Sequence, residues 1–252
     1  MYDSIIDQHK LISLNEETHT YTLENSDISF SSVTEFIGSF FQPFDENKIA
    51  LKLTKHHKYK GKSVNDILRE WEKRRNRGTV VHKEIETFIH EANNHKKIID
   101  TSTSNKLDLK SQQAIKFLKN CNIYKNNLIF PEVRVFSKQL KLAGTIDLMI
   151  YNKPKNEISL IDWKTNQKIK QSGFKNGIKN PTLMIEDCSF NKYQLQLSMY
   201  RYILENFYNT KVRGLYILHL KENSYNYLNC SFEDKKIQEM INYSLINTLS
   251  NK

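Results

Sequence analysis

Asp147, in Gly144-Thr145-Ile146-Asp147, and the pair Asp162 and Lys164, in Ile161-Asp162-Trp163-Lys164, are residues whose types and spacing can do chemistry together. Alternate side chains of a strand share a face, so Asp162 and Lys164 point one way while Ile161 and Trp163 point the other. Asp147 stands in an otherwise apolar run with Ile146, Leu148, Met149 and Ile150, where an uncompensated carboxylate is costly. A bound cation is the simplest compensation. If 142–151 and 157–164 pair as a hairpin, Asp147 and Asp162 lie side by side and supply the hard oxygen ligands that Mg²⁺ prefers. Such a cation polarises a phosphoryl oxygen and lowers the pKa of a bound water. Lys164 beside it can orient that water or offset the charge that builds up in the transition state. Taken alone, D-x-K is more often an ordinary ion pair at a strand end, with Asp147 a turn residue.

Two flanking segments carry matching groups. Upstream, Gly78-Thr79-Val80-Val81-His82 is followed one turn later by Glu86. Residues four apart share a helix face, so Gly78, His82 and Glu86 form one stripe beside an apolar stripe of Val80, Val81, Ile85, Phe88 and Ile89. An imidazole there can reach the metal and suits Mn²⁺ as well as Mg²⁺. Downstream, Gln196 and Tyr200 are also four apart, and the amide can hold Lys164 or a phosphate. The plainer readings are a solvated or core histidine and the polar rim of an amphipathic helix.

The elements that must position these groups follow from periodicity. Period-two patterns predict strands over 19–24 and 28–37, the second turning helical at Ser32, and then over 131–137, 142–151, 157–164, 212–220 and 225–232. Helical spacing covers 63–94, 108–121, 189–208 and 233–250, and a long basic loop covers 165–188. The three middle strands read as an antiparallel meander. Helices flanking a mixed central sheet, an α/β architecture of mixed α+β character, are expected. The chain has 252 residues, with 7 Gly, 4 Pro and no repeat or low-complexity linker, and reads as one domain.

The formal net charge of +10 favours a polyanionic partner, because neutralising phosphates releases condensed counterions. Cys121, Cys188 and Cys230 are too few and too scattered for a disulfide framework or a zinc or iron-sulfur site, which fits a reducing compartment. No stretch has the roughly 20 apolar residues of a membrane span, and the opening MYDSIIDQHK lacks the layout of a signal peptide. The expectation is a protein that stays in the cytoplasm where it is made.

The ordered string GTVVH (78–82), Glu132 on a strand, GTID (144–147), IDWKT (161–165) and QLSMY (196–200) resembles the RecB-like branch of the PD-(D/E)XK nuclease superfamily. The likeness runs over about 78–220. It implies a single nuclease domain over 1–252 with a restriction-endonuclease-like core at 78–220, an N-terminal extension at 1–70, and a closing strand and helix at 221–252. It implies a Mg²⁺- or Mn²⁺-dependent deoxyribonuclease in recombination, repair or replication. His82, Asp147, Asp162 and the backbone carbonyl of Trp163 would hold the metal, Lys164 would assist the water, and Gln196 would act beside them. Tyr200 and Thr165 would contact DNA. Glu132 matches a strand acid of less uniform role, and Glu86 is an accessory suggested by helix geometry. The four cysteines of the iron-sulfur relatives are missing, so the pattern is nearer to the stand-alone exonucleases of phages and of mitochondrial genome maintenance.

KRRNR (73–77) with Arg74, Arg75 and Arg77, and the loop with Lys168, Lys170, Lys175 and Lys179 around Phe174, are the expected DNA surface. Basic groups track phosphates while an aromatic ring stacks on a base, a combination suited to single strands. LKLTKHHKYKGK (51–62) is a third basic run, of a kind that is more often simply solvated. The leading reading is an exonuclease on DNA ends or single strands, working with a single-strand-binding or recombination protein. The rivals are an endonuclease of the same superfamily and a non-catalytic DNA-binding module.

Overall fold

The fold was determined as a computed structural model, which describes residues 2–95, 106–121 and 123–250. Helix α1 (Tyr2–Leu11) leads into a hairpin of β1 (Ile12–Asn15) and β2 (Thr20–Leu23), then β3 (Ser31–Ser32) and α2 (Val33–Gly38). Helices α3 (Glu46–Thr54), α4 (Val64–His95) and α5 (Leu109–Asn120) follow. Next come the long strands β4 (Asn127–Ser137), β5 (Leu142–Asn152) and β6 (Glu157–Lys164). Helix α6 (Ser189–Phe207), strands β7 (Val212–Leu220) and β8 (Tyr225–Cys230), and helix α7 (Asp234–Ser250) close the chain.

The β4–β5–β6 meander forms as the alternation predicts, both pairs antiparallel. Helix α6 crosses over to bring β7 parallel to β6, and β8 returns antiparallel, so the sheet is mixed and carries helices on both faces. On one face α2, α6 and α7 bury Phe40, Leu197, Ile203 and Met240 against Val133, Met149 and Leu160. On the other, α4 and α5 bury Val81, Ile85, Ile89 and Leu118 against Leu148, Ile161 and Trp163. Val80 departs from the predicted apolar stripe. It is 51% exposed, because the sheet takes the face centred on Val81 and Ile85 and Val80 falls outside that arc.

The run 28–37 is a strand for two residues only. Ser32 ends it as the N-cap of α2, its hydroxyl accepting from the Glu35 N–H at 3.0 Å. Residues 1–70 are less separate from the core than an extension: β3 pairs in parallel with Leu142 and Ala143 of β5.

That pairing shapes the site. One edge of β5 is shared, with β3 pairing at Leu142 and Ala143 and β6 pairing from Leu148 to Asn152. Among the described residues, Gly144 to Asp147, the GTID segment, have no strand partner on that edge. The gap lets groups from both helical layers approach β5. Among the described residues no helix is long and apolar enough to cross a membrane.

Candidate metal centre

The register sets out the acids. Pro131 pairs with Leu148 and Val133 with Ile146, so Glu132 on β4 stands opposite Asp147 on β5. Leu148 and Ile161 are the last pair between β5 and β6, and one step beyond lie Asp147 and Asp162. Three carboxylates therefore occupy one row across three adjacent strands. Helix α4 adds His82, whose Nδ1 lies 3.6 Å from Glu132 Oε1 and 3.8 Å from Asp147 Oδ1.

His82, Glu132 and Asp147 each offer one ligand atom, and these atoms lie within 4.8 Å of one another. Glu132, an uncertain accessory by sequence, thus belongs to the cluster. Its signal is not in residue type: the backbone is left-handed at φ 49°, costly for a side chain with a Cβ, and the strand ladder is interrupted there. Glu86 does not join. It is turned onto Lys83 at 2.8 Å and lies 3.7 Å from His90, because one further turn carries it along α4 away from the row of acids.

Asp162 faces Lys164 instead of the cluster, Oδ2 to Nζ at 2.7 Å, as two same-face residues of one strand can. The Lys164 ammonium also lies over the Tyr193 ring, 4.3 Å from its centre. Tyr193 was not singled out by sequence reasoning. Its place on α6, three residues before Gln196 on the same face, is the signal that could have found it. The Trp163 N–H donates to Asp147 Oδ2 at 2.7 Å, replacing the ladder bond that the gap removes. In a strand the C=O of a residue opens on the same side as its N–H, so the Trp163 carbonyl faces the same crevice.

Electrostatics follow from burial. Burial opposes the His82 imidazolium, but Asp147 and Glu132 outweigh it and push its pKa up to about 9. Burial raises the carboxyl pKa of Asp147 against the pull of His82. Burial likewise pushes Asp162 up to about 6 although Lys164 opposes it. Lys164 is held protonated: Asp162 and Asp147 overcome its own burial. It is a fixed positive charge, suited to electrostatic stabilisation and not to proton abstraction at neutral pH.

Gln196 and Tyr200 meet each other, the amide Nε2 donating to the phenol oxygen at 3.2 Å. Tyr200 is 3% exposed, so the expected DNA contact is a core residue. Its ring fills the space left by Gly144, where a Cβ would stand 2.5 Å from Cε1. Thr165 lies against Gly78, where a Cβ would be 3.0 Å from Thr165 Oγ1, and its carbonyl accepts from Lys110 Nζ at 2.5 Å.

The expected DNA surface divides. Arg77 is a structural clamp: Nε and Nη2 donate to Asp108 at 2.6 and 3.0 Å, and Nη1 and Nη2 to Glu222 at 2.6 and 2.9 Å. Arg75 pairs with Glu46 at 2.6 Å and Arg74 with Glu70 at 3.7 Å. In the loop, Lys168, Lys170 and Lys175 are exposed, and Phe174 is fully so with Met184 at 91%. Lys179 is tied down, its Nζ 3.2 Å from Ser39 Oγ. The loop is fastened to itself and to the core: Ile178 N–H donates to the Phe40 carbonyl at 2.8 Å and Asp187 N–H to the Lys175 carbonyl at 2.6 Å.

An imidazole nitrogen and two carboxylate oxygens on partly open side chains, with a backbone carbonyl facing the same crevice, form a donor set that fits a hard or borderline divalent cation. No protein-family profile matches this sequence, and no curated protein does. Among solved structures, the crystal structure of SSO0001 is 9% identical and superposes at a TM-score of 0.40 over 97% of this chain and 84% of that one. A likeness at that level carries no argument about function.

Proposed function

We propose that this protein is a divalent-metal-dependent nuclease that hydrolyses phosphodiester bonds in DNA, acting on single strands or ends. One observation carries the reading. His82, Glu132 and Asp147 converge within 4.8 Å, beside a buried Asp162–Lys164 pair. When bound there, Mg²⁺ or Mn²⁺ supplies Lewis-acid polarisation of a phosphoryl oxygen and a more acidic water.

The protein's own residues do the rest. Lys164 places a positive charge beside the cluster at a largely buried position, where it offsets phosphoryl charge more strongly than in solvent. Asp162 and the Tyr193 ring hold the ammonium in that position. Trp163 N–H fixes one Asp147 oxygen and leaves the other facing His82. Lys168, Lys170 and Lys175 suit the phosphates of a strand, and Phe174 with Met184 suits an unstacked base.

The test is cleavage of linear DNA labelled at the 5′ or 3′ end, in Mg²⁺, in Mn²⁺ and in chelator, by the native protein and by Asp147→Asn. Metal-dependent release of short labelled products, lost in the variant, is expected. Cleavage that persists in chelator or in Asp147→Asn overturns the reading. Covalently closed single-stranded circles should resist, and rapid cutting of them would favour an endonuclease of the same chemistry.

A further inference from the structure

Residues 42–77 leave the body of the protein and return to it. The outgoing root is Phe40–Phe41, both buried, with Lys179 and Lys192 over their rings. The returning root is Gly78, pressed against Thr165. Gly78 thus adjoins Thr165, the first residue after β6, and Phe40 adjoins the basic loop that follows, its carbonyl accepting from the Ile178 N–H at 2.8 Å. Between them stand α3 and the first half of α4. Along α4 the sheet-facing stretch buries Val81, Ile85, Ile89 and Ala92, whereas before Gly78 only Ile67 is buried, in the small core that α3 makes with α4. Ala50 and Ile67 are at its centre and the Phe44 and Trp71 rings are 5.6 Å apart. Arg75–Glu46 ties the two helices at 2.6 Å, and Ser63 with Asp66 caps α4 reciprocally. The segment is an arm with a small core of its own.

Its charge is sorted. Residues 45–76 hold ten Lys or Arg against five Asp or Glu, half of the chain's formal +10. Lys62, Arg69, Arg74 and Arg75 are engaged with acids of the arm itself. Lys48, Lys52 and Lys55 are exposed and make no ion pair with described residues; at i, i+4 and i+7 they form one stripe on the side of α3 away from Ala50. Lys58 and Lys60, in the turn that follows α3, are exposed as well. Packing does not account for this stripe, since its residues face away from the arm's core.

We infer that the arm is a phosphate clamp: the stripe of Lys48, Lys52 and Lys55 holds the backbone of the substrate strand beyond the metal centre. The inference rests on the nuclease reading above. It names DNA because α4 is continuous with the site. From His82 to Val64 the helix runs about 27 Å at 1.5 Å per residue, so a strand leaving the centre along the arm meets lysines for several nucleotides.

The test compares the native protein with Lys48→Ala/Lys52→Ala/Lys55→Ala. The probe is fluorescent single-stranded DNA of about 20 nucleotides, with one of about 4 nucleotides that occupies the centre alone. The long strand should bind the triple variant at least about tenfold more weakly, with a log K against log salt slope shallower by about 2, at roughly 0.7 per lost phosphate contact. The short strand should bind both proteins equally, and metal-dependent hydrolysis of a small phosphodiester, bis(p-nitrophenyl) phosphate, should be unchanged. An unchanged slope in a variant of native helix content overturns the clamp while leaving the nuclease standing. Loss of binding to phosphatidylglycerol vesicles without loss of DNA binding also overturns it, in favour of a membrane contact. A native protein that neither binds DNA nor hydrolyses the small ester sinks the nuclease reading itself.

Discussion

Glu132 stands opposite Asp147 across β4 and β5 at the position where the ladder of paired residues is interrupted, and its backbone is left-handed at φ 49°. A residue with a Cβ pays roughly 1–3 kcal/mol for such a conformation, and sites of this kind recur where geometry serves function. In an ordinary strand Ala is more stable than Gly by about 0.5–1 kcal/mol. At position 132 the order should reverse. Glu132→Gly is expected to be more stable than Glu132→Ala by about 1 kcal/mol, roughly 2–4 °C in Tm for a chain of this size, while both lose Mn²⁺ binding by calorimetry. An alanine variant more stable than the glycine one would remove the argument from strain.

Arg77 was expected among the DNA contacts and is occupied by Asp108 and Glu222. Such a bidentate guanidinium is not replaceable by a point charge. Arg77→Lys should lower stability, by about 1 kcal/mol given the partial exposure of the pair, and leave the salt slope of DNA binding unchanged. A shallower slope at constant Tm would return Arg77 to the DNA surface.

How much of this was legible in the sequence depends on what each element rests on. Strands β5, β6 and β7 and helices α4 to α7 follow their apolar periodicity within a residue or two, because packing against a sheet writes that period into the chain. Helix α1 escaped notice: of its ten residues only Ile5 is buried, so it carries almost no stripe. In the β1–β2 hairpin, β2 answers the alternation read over 19–24, whereas β1, four residues long, is too short for alternation to stand out. In the site, His82, Asp147, Asp162 and Lys164 were legible as types at spacings. That Asp162 can pair with Lys164 follows from the strand period; that Glu132 joins His82 and Asp147 depends on register and on one left-handed residue, neither of which composition or period encodes. The arginines of 73–77 show the opposite case: charge is visible in a sequence, whereas the acids paired with Arg75 and Arg77, namely Glu46, Asp108 and Glu222, are distant along the chain, and only Glu70, one turn before Arg74, is local.

His9 gives a pH dependence away from the metal centre. Its Nδ1 accepts from the Arg134 backbone N–H at 2.9 Å, which closes the free edge of β4, and burial with the nearby Arg134 charge pushes its pKa down to about 4. The folded state therefore resists protonating a group that titrates near 6.5 when unfolded. Its contribution is fully present above about pH 6.5 and is lost as pH falls toward 4. Tm should drop across that window by more than in His9→Asn, whose amide oxygen can accept the same bond without titrating. Parallel Tm curves for the two proteins would remove His9 as the cause.

Tyr193 separates the electrostatic role of Lys164 from the metal ligands. Its ring lies 4.3 Å from the Lys164 ammonium but supplies no atom to the His82, Glu132 and Asp147 cluster. A cation over an aromatic face gains about 0.5–2 kcal/mol, more when water is excluded. Tyr193→Leu keeps an apolar wall and removes the ring quadrupole, so the ammonium should wander while the metal ligands stay in place. The expected result is a fall in kcat for the small phosphodiester of about three- to thirtyfold, with Mn²⁺ affinity unchanged and substantial recovery in Tyr193→Phe, which restores the ring without the hydroxyl. If Phe does not recover activity, the hydroxyl and not the ring face is what matters. If Mn²⁺ affinity falls together with kcat, Tyr193 acts through the architecture of the whole site, and Lys164 loses its separate electrostatic assignment.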